Sequence, residues 1–238
     1  MISYHIIRIK TISFTGQTRI YRQAYFEHPN YVPLLKRSLD LWNDLNEYYK
    51  CNVRPSLVDT TTNDGSTDLP LNLLELCGGI MIGRLDSTVI AGTLQSIKTH
   101  NLPHEIWTCN EMKDKHPVFK LSDDEIAVYE KNAGYLYAEL CIQTYIYMAR
   151  KHGATFHFNE TMLSWHQQDT QEGDSSLITV CTDKGTYITR KLVLTVGAWA
   201  TSIYASCLTF PLIIERRVLY WFEPDCNRVE EYKVIHTL

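Results

Sequence analysis

In LVLTVGAW, residues 192–199, a run of five apolar or β-branched residues ends at Gly197. The run has no polar face, which predicts a strand buried on both sides, as in a parallel sheet covered by helices. The residues after the glycine begin a predicted helix that extends to about Leu208. Because open α/β sheets bind ligands at the carboxyl ends of their strands, we expect Gly197 to lie at a ligand site, with a plain tight turn as the alternative.

The elements around this run favour the same α/β class. We predict a helix, a strand, a β-hairpin and a last strand at residues 138–152, 154–160, 176–189 and 217–223. Gly153 is a helix C-terminal cap in this scheme, and Asp183-Lys184-Gly185 is typical of a hairpin turn. A small antiparallel segment therefore interrupts an otherwise parallel α/β unit.

The first half of the chain predicts helices separated by loops. Asn30 and Pro33 suit the start of an amphipathic helix, and Ser87 suits the cap of a second one. The predicted elements are a helix at 30–49, a surface loop at 59–70, a strand at 78–83, a helix from Ser87 to about Asn101, a short helix at 110–116 and then a loop up to residue 138.

Composition excludes several classes of protein. The 238 residues are 45% apolar and 21% charged, as in an ordinary globular protein, and the net charge of -4 argues against nucleic-acid binding. No apolar run approaches the roughly 20 residues of a membrane span, and the N-terminus is a poor signal peptide. We expect an intracellular protein, cytoplasmic or peroxisomal, without a membrane segment.

The cysteines and histidines predict neither a disulfide framework nor a metal site. The seven cysteines are odd in number and contain no C-x-x-C pair, which favours reduced thiols. His100 and His104 are four residues apart, but Pro103 lies between them and disfavours a shared helical face.

The segment GQTRIYRQAY, residues 16–25, carries the most specific local signal. Arg19 and Arg22 lie three residues apart beside a Gly-Gln-Thr turn. A guanidinium binds a carboxylate through two parallel hydrogen bonds and stays charged at any relevant pH, so this pair is able to gather negative charge. The alternative is a basic pair on a solvated face.

Taken with YVPLLKRSLDLW, residues 31–42, this segment resembles the monomeric sarcosine oxidases, N-methyltryptophan oxidases and pipecolate oxidases, which belong to the D-amino acid oxidase-like flavoproteins. The segments AGYLYAELCIQTY, GATFHFNETM and LTVGAW resemble later motifs of the same family in the same order. The resemblance runs from about Gly16 to Glu223, and residues 59–70 resemble an insertion.

The resemblance implies a role for each matched residue. Arg19 would lie against the flavin ring of FAD, and Arg22 would bind the substrate carboxylate. The other cofactor contacts implied are Gly16, Thr18, Met162, Thr195, Gly197, Ala198 and Trp199. The implied substrates are a secondary or tertiary amino acid, such as sarcosine or another N-methyl or cyclic amino acid, and oxygen. Hydride would pass to the flavin, and its reoxidation by oxygen would give hydrogen peroxide.

The family also implies a domain plan and a monomer. Residues 15–76 and 136–209 would belong to a partial, Rossmann-like FAD-binding domain that lacks its first βαβ unit. Residues 77–135 and 210–238 would belong to part of a mixed-sheet substrate domain interleaved with it.

The sequence departs from the family pattern at both ends. It contains no G-x-G-x-x-G motif for the FAD pyrophosphate, and the family's flavin-linking cysteine and its lysines would lie beyond Leu238. We expect either a partial or mis-spliced gene product or a shortened relative without catalysis. An unpaired edge beside residues 192–196 would make the chain poorly soluble or partly ordered. The alternatives to an oxidase are a non-catalytic remnant without flavin and a dehydrogenase that passes electrons to a carrier protein.

Overall fold

The structure, a computed structural model, describes residues 4–7, 18–58, 69–167, 177–201, 212–215 and 227. Its described strands are β1 (Tyr4–Ile7), β2 (Arg19–Tyr21), β3 (Leu74–Glu75), β4 (Gly79–Arg84), β5 (Glu105–Trp107), β6 (Glu125–Glu130), β7 (Gly134–Leu136), β8 (Ala154–His157), β9 (Met162–Gln167), β10 (Ile178–Thr182) and β11 (Thr186–Thr189). Its described helices are α1 (Val32–Tyr48), α2 (Arg54–Val58), α3 (Thr88–His100), α4 (Cys109–Lys115) and α5 (Ala138–Lys151).

Helices and strands alternate along the chain, so the fold class is α/β as predicted. The elements form two compact units. The first unit comprises residues 1–15 and 146–221, and the second unit comprises residues 16–145 and 222–238. The division falls inside α5.

The second unit is built on two antiparallel sheets, ordered β2-β7-β3 and β4-β6-β5. The central strand β6 has a core on each face because its side chains alternate. Val128 packs in a cluster with Ala24, Val32, Ile90, Ile97 and Leu102, whereas Ala127 packs with Trp107 and Met112. Full burial of a large apolar side chain stabilises a fold by about 1.5–3 kcal/mol, so these two clusters hold β6 firmly between α3 and α4.

The first unit contains a parallel pair and an antiparallel meander. β1 pairs in parallel with β8, with Tyr4 opposite Ala154. The meander runs in the order β11-β10-β9. Its β10–β11 turn is closed by the amide of Thr182, which donates to the carbonyl of Gly185 at 2.8 Å. The hairpin predicted around Asp183-Lys184-Gly185 is therefore confirmed.

The predictions that rested on local capping signals are also confirmed. The hydroxyl of Ser87 accepts a hydrogen bond from the amide of Ile90 at 3.3 Å and begins α3. That helix ends at Asn101 in the left-handed conformation, with φ 50°. Gly153 follows α5 with φ 86°, a conformation that costs glycine little because it has no Cβ.

The predicted buried strand at residues 192–196 is wrong. The structure leaves this run outside every described sheet, and the Val193 side chain is 82% exposed. Composition alone does not make a strand, which also requires pairing in a sheet, and residues 192–196 pair with none of the described strands. The predicted helix after Gly197 is seen only as a turn of 3-10 helix, Gly197–Trp199, and a helical start at residues 200–201; its remainder and the strand at 217–223 lie outside the described residues.

Two further predictions differ from the structure. Asn30 does not cap α1; instead the ring of His28 accepts from the Asn30 amide at 3.1 Å and starts a 3-10 turn, Pro29–Tyr31, ahead of the helix. The loop predicted between residue 117 and residue 138 contains β6 and β7. The prediction missed these strands because their stability comes from pairing with β4 and β2, which no local signal reveals.

Gly134 is required where β7 pairs with β3. A Cβ built on Gly134 would lie 1.9 Å from the carbonyl oxygen of Glu75, which is backbone and cannot rotate away. We expect Gly134→Ala to push the two strands apart and to lower the free energy of unfolding by about 1–3 kcal/mol. Thermal unfolding of the variant measures this loss. Gly185→Ala is the control, since its Cβ would meet no atom within 4 Å, and equal losses in the two variants would contradict the account.

A buried carboxylate fixes the connection between β8 and β9. Glu160 is 3% exposed and accepts hydrogen bonds from the Thr182 hydroxyl at 2.6 Å and the Tyr187 hydroxyl at 2.8 Å. The His157 Nδ1 lies 3.3 Å from its other oxygen. The Thr182 hydrogen bond, then that of Tyr187 and the charge of His157, lower the pKa of Glu160 below its ordinary value of 4.5.

This lowered pKa predicts a pH dependence. A carboxyl whose pKa is lower in the folded state stabilises the fold above pH 4.5, and the contribution is lost as the pH falls through the lowered pKa. We expect the urea midpoint of Glu160→Gln to lie furthest below that of the parent at pH 7 and to approach it in acid. Glu139→Gln, at an exposed position on α5, is the control. A difference between parent and Glu160→Gln that stays constant from pH 7 to acid would overturn this assignment.

Candidate functional site

Arg19 and Arg22 are positioned by the antiparallel pairing of β2 with β7. Arg19 begins β2 opposite Leu136, and Tyr21 ends it opposite Gly134. Arg19 is half-buried, and its Nη1 donates to the carbonyl of Thr18 at 2.8 Å. Arg22 is the first residue after the strand. Gly16, which is part of the same sequence motif, lies outside the described residues.

The guanidinium of Arg22 lies among aromatic rings and is largely withdrawn from water. Its Cζ atom is 4.7 Å from the ring centre of Tyr25 and 5.0 Å from that of Phe26. Its side chain is 15% exposed, and Nη1 contacts the sulfur of Met81 at 3.8 Å. A cation over an aromatic face is stabilised more strongly when it is desolvated, so the two rings stabilise the partly withdrawn charge of Arg22.

One carboxylate already faces this guanidinium. The Oε2 atom of Glu27 lies 3.5 Å from Nη2 of Arg22, and the Glu27 side chain is 42% exposed. A charge-assisted hydrogen bond has a length of about 2.7–2.9 Å, so this single contact is long and does not use the two-pronged geometry of the guanidinium. Glu27 was not predicted as a site residue; its position five residues after Arg22 gives no signal without the turn that joins them.

The loop that carries Arg22 is held by the elements beneath it. The hydroxyl of Ser96 on α3 donates to the carbonyl of Tyr25. A Cβ on Gly92 would lie 2.1 Å from the carbonyl oxygen of Phe26, so α3 and the loop are in close backbone contact. The backbone amides of Gln23 and Ala24 both donate to Glu130, at the end of β6. Residues of α3 and β6, far away in sequence, therefore set the position of Arg22.

The remaining predicted contacts belong to the first unit. Met162 is half-buried and begins β9, where it lies opposite Thr182. Gly197 has φ 55° and is exposed, and a Cβ at this position would meet no described atom within 4 Å. Thr195, Ala198 and Trp199 are also exposed. The turn at Gly197 therefore offers open backbone, as close approach of a ligand requires.

Thr18, Arg19 and Arg22 thus share the second unit, whereas Met162, Thr195, Gly197, Ala198 and Trp199 share the first. Within the described ranges, no three His, Cys, Asp or Glu side chains come close enough to hold a metal ion. No helix in those ranges is long and apolar enough to cross a bilayer. The cysteines of the described ranges are free thiols.

Comparison with known proteins identifies relatives of the chain. It is 36% identical over 209 residues to a monomeric sarcosine oxidase of Streptomyces avermitilis, a match that covers 88% of this chain and 47% of that protein. It is 31% identical over 215 residues to an N-methyl-L-tryptophan oxidase of Yersinia pestis, with 90% and 50% covered. The chain therefore spans about half the length of these curated relatives.

Solved structures show the same fold. NikD, described as an unusual amino acid oxidase essential for nikkomycin biosynthesis, matches with a TM-score of 0.65 at 18% identity, over 84% of this chain and 47% of NikD. An L-proline dehydrogenase from P. horikoshii matches with a TM-score of 0.54 at 19% identity, over 77% of this chain and 42% of that one. A family model described as FAD dependent oxidoreductase matches residues 13–225. By this match the chain belongs to the FAD-dependent oxidoreductase family.

Proposed function

We propose that this protein oxidises the secondary or tertiary amine of a small amino acid with FAD, and that Arg22 binds the carboxylate of the substrate. The observation that carries the proposal is the environment of Arg22, whose desolvated guanidinium lies over two aromatic rings and contacts one exposed carboxylate. Membership of the family supports the FAD chemistry. The sarcosine and N-methyltryptophan oxidases among the relatives support an N-methyl amino acid as substrate, with a cyclic amino acid as the alternative.

Binding of the substrate carboxylate would exchange it for Glu27. The present contact is a single one at 3.5 Å, and its carboxylate is 42% exposed. Glu27 loses little when it returns to water, because its carboxylate is already partly hydrated, and the substrate carboxylate takes over the charge contact with Arg22. A substrate carboxylate that meets both prongs of the guanidinium forms the stronger, two-bonded pair. Arg22 would thereby fix one end of the substrate and orient the carbon–nitrogen bond to be oxidised.

The resemblance to the family supports proposed FAD contacts in each unit. In the second unit, Arg19 would place a positive charge beside the flavin ring. In the first unit, the open backbone at Gly197 and the start of β9 at Met162 would contact FAD. FAD, when bound, supplies the two-electron acceptor for the amine oxidation. A positive charge at Arg19 would stabilise negative charge that develops on the ring. Thr18 beside Arg19, and Thr195, Ala198 and Trp199 beside Gly197, would add further contacts, each within its own unit. Gly16 is proposed as a contact from its place in the motif alone.

An assay for flavin and peroxide tests the proposed reaction. The purified 238-residue protein, supplied with FAD, is expected to bind the flavin. Addition of N-methylglycine without oxygen should then reduce the flavin and bleach the flavin absorbance. Admission of oxygen should then restore the absorbance and release hydrogen peroxide. Bleaching without peroxide would indicate a dehydrogenase that serves an electron carrier. Failure to bind FAD would contradict the proposal and favour a non-catalytic relative.

Arg22→Lys tests the carboxylate contact. Methoxyacetate is the probe, because it has the shape and the carboxylate of N-methylglycine but an ether oxygen in place of the amine. A lysine offers one point charge instead of a planar pair of donors, so we expect the affinity for methoxyacetate, measured by calorimetry, to fall about tenfold to hundredfold. Arg37→Lys is the matched control, since Arg37 is 65% exposed and pairs with Asp40 on the surface of α1. Equal affinities in the two variants would refute the role of Arg22.

A further inference from the structure

Glu130 holds the backbone next to Arg22 from a distant part of the sequence. It is the last residue of β6 and is 6% exposed. Its Oε1 accepts from the amide of Gln23 at 2.6 Å, and its Oε2 accepts from the amide of Ala24 at 2.9 Å. These are the two peptide groups that follow Arg22. A single side chain, more than a hundred residues away in sequence, thus binds both of them.

Two contacts from α3 complete this attachment. Ser96 donates to the carbonyl of Tyr25, and Gly92 lies against the carbonyl of Phe26. The backbone is therefore held at each of four successive residues, from Gln23 to Phe26. The rings over which the Arg22 guanidinium lies are those of Tyr25 and Phe26. The same attachments consequently fix the guanidinium and the rings beside it.

Burial of a carboxylate in order to hold this loop costs free energy, because the charged form loses its hydration. Burial raises the pKa of Glu130, and this effect outweighs the two amide hydrogen bonds and the charge of Arg22, which act in the opposite direction. An apolar side chain at the end of β6 would avoid that cost but would leave two amide groups buried and without a partner. Glu130 is thus suited to holding the loop in one conformation, because its two hydrogen bonds have fixed directions. A purely apolar contact has no such directionality and fixes the loop less specifically.

We propose that Glu130 is a positioning residue for substrate binding, which fixes the peptide groups after Arg22 and thereby presents the guanidinium to the carboxylate of the substrate. This inference rests on the proposed role of Arg22. Besides its charge interaction with Arg22, Glu130 acts through the amides of Gln23 and Ala24. Its removal leaves the Arg22 side chain chemically intact but lets the loop, and the guanidinium with it, adopt other conformations.

Glu130→Gln is the direct test. Glutamine has nearly the same shape, but its amide nitrogen cannot accept the second hydrogen bond. We expect the backbone amides of Gln23 and Ala24 to exchange with solvent faster, and the affinity for methoxyacetate to fall about tenfold, which corresponds to about 1.4 kcal/mol. Glu125→Gln is the matched control: Glu125 begins the same strand and accepts from the amide of Ser122 at 2.8 Å. Its methoxyacetate affinity should equal that of the parent.

The outcomes separate this inference from the proposed function. An affinity that falls in Arg22→Lys but not in Glu130→Gln, even with faster amide exchange, shows that Glu130 is only structural and overturns the inference alone. An affinity that survives Arg22→Lys removes the proposed function and this inference with it. Should Glu130→Gln fail to fold, Ser96→Ala replaces it, because it releases the next carbonyl of the same loop. A tenfold loss in Ser96→Ala then supports the positioning role, and an unchanged affinity contradicts it.

Discussion

A guanidinium that is withdrawn from water must be compensated, and much of the second unit is arranged around that constraint. Among the described residues, two aromatic rings and the Glu27 carboxylate contact Arg22, and the charge of Arg22 also acts on the Glu130 carboxylate. The rings are held in place because the backbone of Tyr25 and Phe26 contacts α3, and the two residues before them are bound to the end of β6. Strand β6 is in turn fixed by an apolar cluster on each of its faces. The core of the unit thus determines how accurately one charged group is placed, and this connects packing with the proposed chemistry.

The sequence predicted those elements whose ends carry a local chemical signal. Ser87, Gly153 and the Asp183-Lys184-Gly185 turn act within a few residues of chain, and each is found where it was predicted. Short strands without such signals were missed, as β6 and β7 show, since their stability comes from partners distant in sequence. The run at residues 192–196 shows the opposite error. Its composition suits a buried strand, but a strand also needs neighbours, which composition does not supply.

For the candidate site, the sequence proposed two arginines, and the structure adds two carboxylates near them. The spacing of Arg19 and Arg22 pointed to anion binding, and the resemblance to the sarcosine oxidases supplied a carboxylate as the partner of Arg22. Glu27 and Glu130 were missed because nothing in the sequence joins them to Arg22; only the turn after β2 and the register of β6 do so. The implied contacts at Met162 and Gly197 lie in the first unit, where their exposure and conformation suit a ligand. Their assignment to FAD remains a proposal.

The central claim is that the Arg22 guanidinium is the receptor for the carboxylate of an amino acid. Nuclear magnetic resonance of protein labelled with ¹⁵N-arginine tests it directly, through the Nε–H signal of Arg22 during titration with N-methylglycine. The account predicts a shift of this signal that saturates with N-methylglycine and is absent with dimethylamine, which has the amine but no carboxylate. An Arg22 signal that stays in place while N-methylglycine binds elsewhere in the protein would contradict the account.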